Sequence, residues 1–142
     1  VNPLEYEVAF YAQTVWQLAR SSNQDELLAV ACVIRNHVVP RLGQVAAYPS
    51  FYEACQDFLA VYPSHRPIPS LSEPAFVAPG GLLFNISAIY DCSYEDVTAT
   101  HDHPNGAKYF ANEPDDWFKA EIAGRPDIHP LIGQYGSMYF YV

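Results

Sequence analysis

Five prolines, Pro63, Pro67, Pro69, Pro74 and Pro79, fall within one stretch of the chain, and Gly80-Gly81 follow at once. Proline has no N–H to give a helix interior or a central strand, and it fixes its own φ. This stretch is therefore neither. It splits the chain into a first part that reads as helices and a second that ends in short strands. Long irregular segments inside compact domains often carry function. This one is a candidate cleft wall or partner-binding arm as well as a candidate surface connector.

Ahead of the prolines, the apolar residues recur at helical spacing. Leu4, Val8, Tyr11, Val15 and Leu18 share one face, which predicts a helix from Pro3 to about Arg20. Ser21-Ser22-Asn23 breaks the pattern, and Asn23 with Glu26 has the form of a capping box. The next helix runs from Gln24 to about Val39, with Leu27, Val30, Ala31, Ile34 and Val38 inward, and Pro40 ends it. Ser50 and Glu53 form a second box, opening a helix with Phe51, Cys55 and Phe58 on one side.

After the prolines, Leu82 to about Tyr90 reads as a helix. Pro104-Asn105-Gly106 reads as a turn, Ala107 to Phe110 as a short strand, and Met138 to Val142 as a final aromatic strand. Helices first and strands last predict an α+β fold. At 142 residues the chain reads as a single domain, 1–142.

Composition narrows the function. Half the residues are hydrophobic and 15% aromatic, which excludes intrinsic disorder. Seven Lys+Arg against sixteen Asp+Glu give a net charge of -9, so nucleic acid and anionic lipid are not expected partners. A glycan remains compatible, and eleven Tyr, eight Phe and two Trp could supply stacking platforms. No apolar run is long enough to span a bilayer, and no secretory leader pattern is visible, so synthesis in the cytoplasm is expected. Cys32, Cys55 and Cys92 form no C-x-x-C pair; each lies in an apolar or amphipathic stretch and reads as a buried thiol.

The densest polar cluster runs from Glu95 to Asn105. His101 and His103 with Asp102 could ligate a metal only with a third group from Glu95, His65 or His129, and no metal or other cofactor is expected. There is no G-x-S-x-G elbow and no phosphate-cradling glycine loop. Glycoside chemistry needs a carboxylic acid beside the scissile oxygen, and Glu95, Asp96 and Asp102 are available.

Two separated blocks together resemble the SleB-like cell wall hydrolases. The first is Val15-Trp16-Gln17-Leu18-Ala19-Arg20 followed by Leu28 to Val38, similar to I-Y-x-E-A-R-G-E and then V-A-V-A-x-V-I-x-N-R-V. The second is Asp102-His103-Pro104-Asn105-Gly106-Ala107-Lys108-Tyr109-Phe110, then Trp117, Ile132-Gly133 and Tyr139-Phe140-Tyr141. It is similar to D-P-T-x-G-A-x-x-F, a following Trp, and I-G-x-H-x-F-Y. Tyr48 to Cys55 looks like the stretch between the family's blocks. The resemblance covers about Val15 to Tyr141 and implies a lysozyme-like α+β fold with short antiparallel strands at its end. It also implies peptidoglycan glycan strands as the partner, and cleavage between N-acetylmuramic acid and N-acetylglucosamine by the Glu of E-A-R. The kinds of protein that carry such domains imply action at the bacterial cell wall, or a place among the subunits of a phage particle or secretion apparatus.

The departures fall on that chemistry. The Glu position is Leu18, the following Gly-Glu is Ser21-Ser22, and the His of I-G-x-H-x-F-Y is Tyr135, with Gly136-Ser137 as an insertion nearby. Three functions follow. An active hydrolase would need a relocated acid, Glu95 or Asp102. A silent relative would bind glycan or serve as a structural component. The third is an acidic adaptor or virion structural protein without glycan binding. The apolar residue at the acid position favours the second. A groove is expected beside Gln17, Arg20 and Asn36, with Asp102, His103, Tyr109, Trp117 and Tyr135 on the same side. There Arg20 and Asn36 would have structural roles, and Tyr109 and Trp117 would stack on sugar rings.

Overall fold

The computed structural model describes residues 3–39, 45–62, 64, 66–68, 70, 81–95, 106–111 and 118–142, with backbone alone for 3–5 and 92–95. Among these residues, four helices precede a small sheet: α1 (Pro3–Leu18), α2 (Gln24–Val38), α3 (Phe51–Val61) and α4 (Leu82–Glu95). The strands are β1 (Tyr109–Ala111), β2 (Leu131–Tyr135) and β3 (Met138–Tyr141), with a π-helical turn, Lys119–Ala123, between β1 and β2. The α+β expectation holds at this level.

The helical faces match the periodicity. Tyr11, Val15 and Leu18 of α1, Leu27, Val30 and Ile34 of α2, and Phe51, Cys55 and Phe58 of α3 are all buried in one core. Each such side chain contributes about 1.5–3 kcal/mol by leaving water. The second helix is the hub: eleven of its fifteen residues are buried, and it packs on α1, α3, α4, β1 and β2. Buried Tyr11 meets the polar requirement of its ring by donating its hydroxyl to Ala31 O of α2.

Several boundaries differ from expectation. The first helix ends at Leu18 rather than near Arg20, and α4 continues to Glu95 rather than stopping near Tyr90. The Asn23 box is only half formed. Asn23 Oδ1 accepts from the N–H groups of Asp25 and Glu26, but the Glu26 carboxylate turns away to other donors. Ser50 caps α3 as expected, accepting from Glu53 N–H at 3.3 Å. The strand β2 and the π-helical turn were not visible in the sequence pattern.

The sheet order is β1-β3-β2, antiparallel throughout, with β3 in the middle. Alternation along β3 puts Met138 and Phe140 into the core and Tyr139 outward. Gly136, at φ 61°, takes the first position of the two-residue β2–β3 loop, where a II′-type turn requires glycine. Phe118, ahead of the π-helical turn, sets its ring edge-on to Tyr141 at 5.3 Å and so packs on the sheet's outer row.

Candidate functional site

Leu18, which the resemblance sets at the position of the hydrolases' catalytic Glu, is fully buried at the end of α1. It continues the apolar stripe into the core and faces no solvent. Arg20, two residues further on, is exposed.

Beside this helix end lies Glu26, in the first turn of α2 and fully buried. One carboxylate oxygen, Oε2, accepts from Ser21 N–H at 2.7 Å and Ser21 Oγ at 3.0 Å. The other, Oε1, accepts from Ser137 N–H at 2.8 Å and Ser137 Oγ at 2.5 Å. Burial pushes its pKa up, but the hydrogen bonds from Ser137 and Ser21 outweigh that and hold the carboxyl below its ordinary value. Glu26 is thus a carboxylate with its lone pairs spent. A general acid needs the opposite, a raised pKa and a proton facing the substrate. Gly136 is required here for a second reason: a Cβ on it would lie 2.7 Å from Glu26 Cβ.

Arg66, from the proline-rich stretch, closes the same corner. Its Nε donates to Trp16 O at 2.9 Å, one Nη to Ser22 Oγ at 2.9 Å and the other to Ser21 O at 3.0 Å. Its guanidinium lies 3.7 Å above the Trp16 ring. No basic residue stands in the last turn of α1, and Arg66 supplies the cation that the helix's carbonyl end favours.

A second polar centre forms at the other end of α2. Asn36 is buried and donates from Nδ2 to Ala107 O at 2.9 Å, so it pins the segment leading into β1. Lys108 Nζ donates to Asn36 O at 2.5 Å. His37 Nε2 lies 2.8 Å from Lys108 O. A carbonyl oxygen only accepts, so this nitrogen carries the proton. Burial, followed by the nearby Lys108 charge, lowers the His37 pKa against the opposing effect of that hydrogen bond, so the ring is neutral at pH 7. Tyr109 sets its ring edge-on to His37 at 6.2 Å and to His129 at 5.1 Å.

The described residues of the expected groove fall at the two ends of α2. Gln17, Arg20 and Tyr135 lie toward the amino-terminal end of α2, where the β2–β3 loop meets Glu26. Asn36 and Tyr109 lie at its carboxy-terminal end. Twelve residues of helix between Gln24 and Asn36 separate the two by about 18 Å at 1.5 Å per residue. Tyr135 turns its ring edge-on to Phe140, 5.5 Å away, and packs against the core. Asp102, His103 and Trp117 lie outside the described residues, as do His65 and His101; for Glu95 only the backbone is described. Among the described residues, no group of three His, Cys, Asp or Glu could hold a metal ion, and no helix is long and apolar enough to cross a membrane.

Sequence reasoning missed Arg66, His37 and the use of Glu26. An arginine among prolines gives no periodic signal, and the partner of Glu26 is 111 residues away. Comparison with protein-family models, with curated proteins and with solved structures finds no match.

Proposed function

We propose that this chain is a peptidoglycan-interacting domain of the SleB-like type that holds glycan, or serves as a structural component of a wall-directed assembly, without cleaving it. The observation that carries the proposal is the complete burial of Leu18 at the family's acid position. A leucine sealed in the core neither donates a proton nor touches a sugar.

Two further observations support the assignment. Glu26 is the only buried carboxylate among the described residues, and it is ionised and bound by four donors. It does structural work at the corner where an acid would be wanted. The two blocks that carry the resemblance also meet directly, through Asn36 Nδ2 and Ala107 O. The acidic charge of -9 fits a partner other than a polyphosphate.

The test is co-sedimentation of the purified chain with peptidoglycan sacculi, with muropeptide release measured in the same tubes. Retention without release is the expected result. Release of glycan fragments would make the chain an active hydrolase and direct mutagenesis to Glu95 and Asp102. Failure to sediment would remove the glycan and leave a purely structural role.

A further inference from the structure

The polar centre at the carboxy-terminal end of α2 continues into a strip of rings. Tyr48 lies 6.2 Å from His37, His37 lies 6.2 Å from Tyr109, and Tyr109 lies 5.1 Å from His129. All four are half-buried, so each keeps part of its surface open to solvent. At the Tyr48 end, the exposed Asp57 carboxylate lies close enough to the phenol to add to the rise that burial gives its pKa. Four separate segments contribute: the loop before α3, α2 itself, β1, and the segment between the π-helical turn and β2.

The strip is held from behind by backbone bonds. Ala47 and Tyr48 donate their N–H groups to His37 O at 2.9 and 3.2 Å. His37 is fixed by Lys108 O, and His129 Nδ1 lies 2.8 Å from Val142 O. Because carbonyls only accept, both bonded ring nitrogens carry protons. In the neutral His37 ring the remaining nitrogen, Nδ1, is a lone-pair acceptor. A surface held this way loses little freedom when a ligand lands on it.

Its chemistry is rich in acceptors and poor in cations. The His37 lone pair and the Asp57 carboxylate accept, two phenols accept and donate, and all four rings are partly exposed. The Lys108 ammonium is turned to Asn36 O at the helix end. Such a surface suits a ligand with many O–H and N–H donors and apolar C–H faces.

We infer that the strip Tyr48–His37–Tyr109–His129, with Asp57 at its end, is a saccharide-binding surface for neutral N-acetylated sugar units. This inference rests on the glycan-holding role proposed above and assigns it to the carboxy-terminal end of α2, away from the Leu18 corner.

The experiment is a titration with chitotetraose, a soluble N-acetylglucosamine oligomer, followed by NMR and calorimetry on the whole chain. It compares wild type, Tyr48→Ala, Tyr48→Phe, Asp57→Asn and His129→Ala, with exposed Tyr6→Ala as a control. Sacculus co-sedimentation is run beside it, and NMR spectra of every variant check the fold. Saturable binding is expected, weakened at least fivefold by Tyr48→Ala and His129→Ala, less by Tyr48→Phe and Asp57→Asn, and unchanged by Tyr6→Ala. Sacculus retention combined with no chitotetraose binding, or with folded strip variants that bind like wild type, overturns the strip and leaves the glycan-holding role standing. Chitotetraose binding at the strip without sacculus retention keeps the strip and overturns peptidoglycan as the polymer. Preferential binding of a free stem peptide at the same residues overturns the saccharide assignment.

Discussion

Ser137 N–H donates to Glu26 Oε1 at 2.8 Å, joining the β2–β3 loop to the first turn of α2. The same carboxylate takes both donors of Ser21, so one side chain fastens the α1–α2 connection to the sheet. Glu26→Gln replaces one acceptor oxygen with a donor facing donors. Hydrogen bonds to a charged group contribute about 1.5–3 kcal/mol each, so a loss of about 2–3 kcal/mol is expected. Urea unfolding with a lowered midpoint and unchanged slope would show it. A midpoint equal to wild type would mean that the clamp contributes nothing.

Two groups make the fold acid-sensitive, and both act in the same direction. Glu26 has a folded pKa below its unfolded value, so its contribution is present above the unfolded value near 4.5 and is lost as pH falls through the lower folded one. His37 has a folded pKa below the ordinary histidine value of 6.5, so the unfolded chain takes up its proton first as pH falls from there. Stability should therefore decline in two stages, beginning below about pH 6.5 with His37 and continuing below about pH 4.5 with Glu26. Thermal melts at half-unit pH steps check this, and His37→Gln should remove the first stage alone.

Arg66 contributes a planar fork to three acceptors and a face to Trp16. Lysine keeps the charge but not the fork, so Arg66→Lys should lose nearly as much as Arg66→Ala, about 1–3 kcal/mol for either. Differential scanning calorimetry of the pair distinguishes fork from charge. Full stability in the lysine variant would show that the charge alone suffices.

Leu18→Ala should cost about 2–5 kcal/mol, as core truncations do. Leu18→Glu places a carboxylate in the same sealed site, so it should unfold the chain or shift its melting sharply downward without creating hydrolysis. Circular dichroism and muropeptide release read the two outcomes. A well-folded Leu18→Glu protein that released fragments would show that this helix end opens to substrate.

Burial pushes the Cys55 thiol up to about 12, and Cys32 is equally enclosed. Neither should react with a thiol reagent at pH 8 in the native chain, and both should react promptly in denaturant. Peptide mapping after timed alkylation identifies each site. Rapid native labelling at Cys55 would show that α3 opens readily.

Local rules carry well through the helices. The spacing of Tyr11, Val15 and Leu18, and of Leu27, Val30 and Ile34, is a property of neighbouring residues, and it places the core faces correctly. Ser50 acts on a residue three positions away and could be read in the same way. Long-range partners could not. Glu26 had a local partner available in Asn23 and took Ser137 instead, and Arg66 found a helix end some fifty residues back. The strand Leu131–Tyr135 escaped notice because its alternation is broken by Gly133, at the register shift in its pairing with β3. The groove was expected as one site because the resemblance brings its two separated blocks to one side. The length of α2 holds them at two ends.

The order β1-β3-β2 also has a consequence for synthesis. When residues 109–111 leave the ribosome, the strand they pair with among the described residues, β3, has not yet been made. The helices can associate early, but the carboxylate of Glu26 and the side chain of Asn36 wait for the last third of the chain. Until then a nascent helical bundle carries a buried-to-be charge in water, and the final strand closes the sheet and the clamp in one late step.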